Sequence, residues 1–313
     1  MHRIDNYAKA KGPRWGVLDR ITNVMNREDT KLWRFVRFPM TRIFIGLSWV
    51  LLAIVVGQLG TMMFPKDFQP FIGMTAVPGI AITAYGIFTR LIEKRQPTEI
   101  VGKDSFPKLL LGVFMGGTLM VMVVISIAAT GGYHVAGTDS PIGAVKILCT
   151  MVGVAVIEEL LVRAVIFRIL QEWLGTISAV VISGVLFGAM HLANPHATLW
   201  MGIAIALEAG VLLAAAYVWS KGLWLSIGLH FGWNFFQSGI FGLNTSGNSM
   251  HGLLKATTSG AELISGGTAG PEGSIFAVIF CFGAGIAMLI SAQHQGLFVG
   301  PMWKSKGLDA VQS

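Results

Sequence analysis

"VAVIEELLVRAVIFRIL" (Val154–Leu170) has the apolar density of a membrane-spanning helix, yet it carries two adjacent carboxylates, Glu158 and Glu159, and two arginines, Arg163 and Arg168. Ionised groups at bilayer depth cost several kcal/mol each and therefore face a protein interior or a wet cavity. At about 100° per residue, Glu159 and Arg163 fall within about 40° of each other. They form an i,i+4 pair with the acid on the amino-terminal side, the better order. Glu158 points about 100° away from Glu159. One carboxylate is thus expected to be neutralised on its own helix as a structural ion pair, while its neighbour stays free to face something else.

Working outward, the 313 residues are 53% hydrophobic and only 12% charged. Soluble domains carry about 25% charged residues, so the expected class is all-α: a polytopic membrane helical bundle with a polar intramembrane cavity. Eight apolar runs approach the ~20 residues that span hydrocarbon: roughly 43–64, 71–92, 109–129, 144–168, 177–192, 197–219, 223–240 and 275–292. This predicts about eight transmembrane helices, with a kink at Pro78 and a short or broken fifth span. The 39 glycines suit close helix approach in lipid. Cys149 and Cys281 fall inside apolar runs and read as buried small hydrophobes.

The net charge of +7 is uneven: residues 1–42 hold ten Lys/Arg against four Asp/Glu. A basic segment of this kind is expected on the cytoplasmic side. Leu32, Trp33, Phe35, Val36 and Phe38 alternate with Lys31, Arg34 and Arg37, which favours contact with the lipid bilayer over nucleic acid. The basic residues Arg90, Lys94, Arg95, Lys103, Lys221, Lys304 and Lys306 then all fall on the cytoplasmic side, leaving Lys66 and Lys255 on the other. The first long apolar run begins near Ile43, so no short cleavable signal peptide is expected. The expected organisation is a basic cytosolic or interfacial segment (1–42), a transmembrane domain (43–293) with its catalytic core at 144–240, and a cytosolic tail (294–313). Loop 241–274 lies outside. The expected location is a bacterial inner (plasma) membrane, with the amino terminus cytoplasmic.

Two further polar pairs occur in apolar context, each at i,i+4 and so on one helix face. "FGAMH" sets Phe187 under His191, and "HFGWN" sets His230 beside Asn234. Three runs that each turn acid, amide or imidazole inward suit water activation and carbonyl attack. Glu158 takes a proton from water, with His191 orienting it and protonating the leaving amine. His230 and Asn234 stabilise the oxyanion. The same residues admit a second mechanism, in which His191, His230 and Glu158 hold a divalent metal, Zn2+ being the natural choice.

In their order and context, "EELLVR" (158–163), "FGAMH" (187–191) and "HFGWN" (230–234) resemble the EExxxR, FxxxH and HxxxN motifs of the CPBP family. These intramembrane proteases include the type II CAAX prenyl endopeptidase and bacterial homologues linked to bacteriocin self-immunity. The core of the resemblance covers about residues 144–240, and "FGLNTSGN" and "GGTAGPEGS" are similar to a trailing segment of bacterial members. The resemblance implies a helical bundle with a cavity open toward the cytosol and the first glutamate of the pair as base. It also implies a membrane-associated peptide or protein as substrate. The family has been described both as zinc metalloendopeptidases and as metal-independent glutamate proteases, and the latter is preferred here.

Other polar residues have simpler expected roles. Glu208 is expected to pair with a basic residue such as Arg168 or to line the cavity. His196 reads as a turn residue, Glu272 as a cap on the last span, and Trp200, Trp219 and Trp224 as interface anchors. The alternatives to an endopeptidase are a non-proteolytic scaffold or immunity factor on the same fold, and a proton-coupled transporter, which the lack of repeated halves disfavours. Oligomeric state is not legible in the sequence.

Overall fold

In the computed structural model, residues 31–303 are described, Lys31 without its side chain. Residues 1–30 of the basic segment, and the tail from 304 with Lys304 and Lys306, lie outside the described residues.

All eight apolar runs fold as helix. A short α1 (Lys31–Val36) precedes α2 (Pro39–Thr61), which starts with Pro39 at its first turn, where the missing N–H costs nothing. α3 (Gln69–Leu91) runs on through Pro78, and α4 (Ser105–Ala129) follows. Ser140 caps α5 (Pro141–Glu159) by accepting from the Ile142 N–H. The same rod continues as a π-helical stretch, Leu160–Phe167, into α6 (Arg168–Leu174). Gly175, at φ 86°, reverses the chain into α7 (Thr176–His191). A second rod is α8 (Leu199–Ile205), the π segment Ala206–Gly210 and α9 (Val211–Ser220), and it stops at the left-handed Lys221. A third is α10 (Trp224–Asn234) with the π segment Phe235–Ile240. After a short α11 (Glu262–Ser265), Ser274 caps α12 (Ile275–His294) by accepting from the Ala277 N–H.

Among the described residues, five helices are long and apolar enough to cross a membrane: Pro39–Thr61, Gln69–Leu91, Ser105–Ala129, Leu199–Ser220 and Ile275–His294. The protein is a multi-pass membrane protein. The other three runs are not among the five. Of these, α7 is a shorter apolar helix of 16 residues, or about 24 Å.

One departure from an all-helical chain is a two-stranded antiparallel ribbon. It pairs β1 (Tyr133–Thr138) with β2 (Leu254–Thr258), so loop 241–274 is tied to the α4–α5 connection.

The α5 rod is the axis of the bundle: every residue from Leu160 to Phe167 is buried. By contrast α2 presents Phe44, Leu52, Val56 and Leu59 outward, as a lipid-facing helix must. At the bundle end where α2 begins, Glu93 accepts hydrogen bonds from Arg42, Arg95 and Arg168. Glu99 accepts from Arg95 and from the Tyr85 hydroxyl. Burial opposes ionisation of Glu93 and Glu99. For Glu93, the guanidiniums of Arg168 and Arg42 outweigh it and hold the carboxyl below the usual range. Arg95 does the same for Glu99. Arg168 is fully engaged here, with Glu93 and Glu172. It does not pair with Glu208.

Candidate active site

Glu159 and Arg163 are both wholly buried, with Arg163 Nε 3.3 Å from Glu159 Oε2. The pair expected from the helical wheel is therefore present, but Glu159 does more than neutralise its own helix. Its other oxygen, Oε1, lies 3.0 Å from His230 Nδ1 across 71 residues. Arg163 donates in turn to the Ala209 carbonyl at 2.9 Å, inside the second π segment. Its guanidinium also stacks 4.4 Å from the centroid of the Phe187 ring, a favourable cation–π position.

Phe187 also organises His191. Its carbonyl accepts from His191 Nδ1 at 2.8 Å, and its ring meets the His191 imidazole edge-on at 4.7 Å. A carbonyl only accepts, so Nδ1 of His191 carries the proton and Nε2 is left for the site. The Glu159 carboxylate likewise fixes the proton of His230 on Nδ1. Both Nε2 atoms then turn to the same place. Glu158 Oε2 lies 3.9 Å from His230 Nε2 and 4.0 Å from His191 Nε2.

The position of α10 follows from glycine. Gly112 and Gly116 of α4 face Gly228 and Gly232 of α10, one turn apart on each helix. A Cβ added at Gly116 would sit 2.2 Å from the Leu229 carbonyl oxygen, and one at Gly232 would sit 2.3 Å from that of Val113. Small-residue stripes of this kind allow backbone contact in lipid. His230 and Asn234 therefore sit on a helix pressed directly onto its neighbour. Each of the three π segments abuts a polar group of the site: Glu159 precedes the first, Glu208 lies in the second, and Asn234 precedes the third. Such widened turns often mark functional positions.

Two separate cavities are lined by residues of this cluster, one by the imidazoles and the other by Glu158. The inner one has about 40 Å³ of room and is lined by His191, His230, Asn234, Glu208, Glu272 and Ser246, with apolar walls from Phe187, Leu212, Leu229 and Cys281. By volume it holds about three waters. The outer one is a cleft of about 480 Å³ between α2, α3 and α5, with Gln58, Lys66, Gln69 and Gly73 along it and Glu158 on its wall. It runs to the bundle end opposite the Glu93 network, where Lys146 faces Asp67 at 3.5 Å. The Glu158 side chain is 28% exposed, while its Oε2, the oxygen nearest the imidazoles, is buried without a hydrogen-bond partner.

Glu158, Glu159, Arg163, His191 and His230 thus belong to one connected cluster, and Asn234 lines the inner cavity with the two imidazoles. Glu272 does not cap the last helix, since Ser274 does. Its side chain is buried, and Oε2 accepts from Gln237 Nε2 at 2.8 Å. Burial pushes the Glu272 carboxyl up from its ordinary range. Glu208 is a cavity residue rather than a partner of Arg168. His196 is an exposed turn residue at φ 56°, as expected. The three tryptophans pin the chain internally: Trp200 to Gly273, Trp219 to Ser291 and Trp224 to Ile100. The residues that sequence reasoning missed are Gln237 and Ser246. A glutamine one turn past Asn234 in an apolar run was the available signal.

Two imidazoles and a carboxylate are donors that zinc takes, but their spacing here is wider than that of a closed zinc site. A tetrahedral site with ligands at about 2.0–2.1 Å brings ligand atoms to about 3.3 Å of each other. The Glu158 carboxylate stands 3.9 and 4.0 Å from the two imidazole nitrogens. Among the described residues, no three His, Cys, Asp or Glu side chains are arranged to hold a metal ion.

Residues 139–236, 98 of the 313, match the family model described as type II CAAX prenyl endopeptidase Rce1-like. This segment is a CAAX-protease-family (CPBP) domain. The general activity that goes with the family is that of a CAAX-protease-type intramembrane endopeptidase. No curated protein and no solved structure matches the chain. The CPBP domain contains both glutamates of α5, Arg163, both histidines and Asn234. Glu272, Ser246 and Cys281 come to the inner cavity from beyond its boundary.

Proposed function

We propose that this protein is a glutamate-type intramembrane endopeptidase in which Glu158 activates the attacking water. The observation that carries the reading is the convergence of Glu158 Oε2 with two imidazole Nε2 atoms at 3.9 and 4.0 Å. A water about 2.8 Å from each of two such groups sits off the line between them at an angle near 90°, an ordinary hydrogen-bonding position. From there Glu158 takes its proton, and His191, whose free nitrogen is Nε2, carries that proton to the leaving amine.

Charge balance gives His230 its task. Glu158, Glu159 and Arg163 sum to −1 in a low-dielectric interior. One more proton on the cluster restores neutrality, which burial favours. When it resides on His230, Nε2 becomes a donor. The imidazolium, with the amide of Asn234 one turn away, then stabilises the oxyanion. Glu159 and Arg163 position His230 and do not touch substrate.

The substrate in this reading is a membrane-associated peptide or protein that enters by the cleft between α2, α3 and α5. Loop charge favours a cytoplasmic amino terminus, and we take the membrane to be a bacterial inner membrane. The mouth of the cleft then faces away from the cytoplasm, against the cytosol-facing cavity that family resemblance implies. We favour the loop-charge assignment, because the Lys/Arg-rich segments cluster at the Glu93 end.

The deciding experiment compares membrane proteomes of cells carrying the native chain and Glu158→Gln. One polypeptide accumulating uncut in the variant, and cleaved by purified wild type, is the expected result. Full turnover of that polypeptide by Glu158→Gln would remove Glu158 as the base.

A further inference from the structure

The inner cavity contains more acceptor capacity than hydrolysis uses. Glu208 and Glu272 are each 2% exposed. Glu208 Oε2 and Glu272 Oε1 have no hydrogen-bond partner, and neither does Gln237 Oε1 beside them. None of the ion pairs among the described residues involves Glu208 or Glu272. Gln237 Nε2 donates to Glu272, and Ser246 lies beside the same carboxyl. The charged or titratable groups facing this corner are His191 from α7, His230 from α10 and Cys281 from α12. Buried acceptors without donors are costly, and two in one void call for a shared donor.

We propose that this cavity is a specificity pocket for a cationic side chain of the substrate, a lysine, inserted past the imidazoles. The inference rests on the protease reading and gives it a substrate preference. Apolar walls from Leu212, Leu229 and Phe187 match a methylene stem, while an ammonium brings three N–H donors and no acceptor. The room, about three water-sized groups, matches the terminal CH2–CH2–NH3+ of lysine and is small for a planar guanidinium. The pocket adjoins His191 and His230, so the lysine occupies a position next to the scissile bond. A site built to satisfy a polar group rejects the analogue lacking it strongly, because its own groups are then left unpaired.

The test is thermal unfolding of the purified full chain in detergent at pH 8 with ethylammonium chloride, against sodium chloride of equal ionic strength and against ethanol. Ethylammonium is expected to raise Tm by several degrees over both controls. The Glu208→Gln/Glu272→Gln double variant is expected to lose that shift. Glu158→Gln is expected to retain it, so the pocket is read without any cleavage. Equal responses to ethylammonium and ethanol in the wild type would overturn the proposal, leaving a cavity of waters and protonated carboxyls. Retention of the shift in the double variant would also overturn it. Should the double variant not fold, the wild-type comparison alone decides. An inactive enzyme with an intact shift would refute the protease reading and spare the pocket.

Discussion

Replacing Gly116 by alanine tests the packing that places His230 and Asn234. The new Cβ would lie 2.2 Å from the Leu229 carbonyl oxygen and 2.8 Å from the Trp233 amide nitrogen. Close C···O contacts between helices settle near 3.3–3.6 Å, so α4 and α10 must separate by about 1 Å. Both obstructing atoms are backbone and cannot rotate away. Overpacking of this kind costs about 1–3 kcal/mol. The bond from His230 to Glu159, 3.0 Å long, stretches with the helix, and a 1 Å misplacement of a reacting group costs about 100-fold in rate. The control is Gly283→Ala on α12, whose added Cβ meets nothing within 4 Å. Glycine to alanine by itself favours a helix by up to about 1 kcal/mol. Thermal unfolding in detergent should therefore show Gly116→Ala lowered by several degrees and Gly283→Ala unchanged or slightly raised. A Gly116→Ala protein as stable as wild type, or both variants lowered alike, would refute the argument that backbone contact at this stripe sets the site.

Other outcomes follow from the buried charges and the cleft. Glu159→Gln leaves Arg163 buried without its ion-pair partner, at a cost of about 3–5 kcal/mol; Arg163→Met added to it should recover stability but not cleavage, and no recovery would sink the ion-pair account. For Glu93, the folded-state pKa is depressed below its unfolded value of about 4.3. Its contribution is therefore present above that pH and is lost as pH falls through the folded pKa. Melting temperatures should drop on acidification below about pH 4.3, less steeply in Glu93→Gln, and parallel curves would count against the network. Incubation with a strong chelator should leave turnover of the identified substrate unchanged, whereas loss on chelation and recovery with zinc would establish the metal mechanism. Lys66→Cys should react in intact cells with a membrane-impermeant maleimide, because Cys149 and Cys281 are buried; labelling only after permeabilisation would turn the cleft toward the cytoplasm.

Most of the helical architecture was legible because lipid imposes a simple rule: long apolar runs become helices with their backbone bonded internally. The cluster was legible for the converse reason. Glu158, His191 and His230 stand out where polarity is expensive, and the wheel around Glu159 and Arg163 needs no tertiary knowledge. What spacing does not encode is contact between runs. Nothing local to Glu159 says that its second oxygen reaches His230 71 residues away. Nor does anything local to Arg163 say that its guanidinium lies over Phe187. Glu272 was misread because "GPEGS" has good helix-start chemistry, and Ser274 took that role two residues later. The β1–β2 ribbon escaped notice because "YHVAGT" and "LKATT" are short and far apart.

The three π segments connect these two kinds of information. A widened turn shifts helical register by one residue, so side chains before and after it no longer keep one 3.6-residue face. Glu159 and Asn234 each precede such a turn, which lets their helices turn polar groups inward there while the following residues return to apolar packing. Glu208 lies inside one, and the neighbouring Ala209 carbonyl is the acceptor that holds Arg163. The wheel of a regular α-helix therefore matches the directions in which Glu158 and Glu159, which lie before the break, point. It had no means of finding the Arg163 contact to Ala209, which depends on a widened turn in a different rod. If straightening the second rod, by deleting one residue within Ala206–Gly210, left the Arg163–Glu159–His230 chain intact, register would not be what assembles this site.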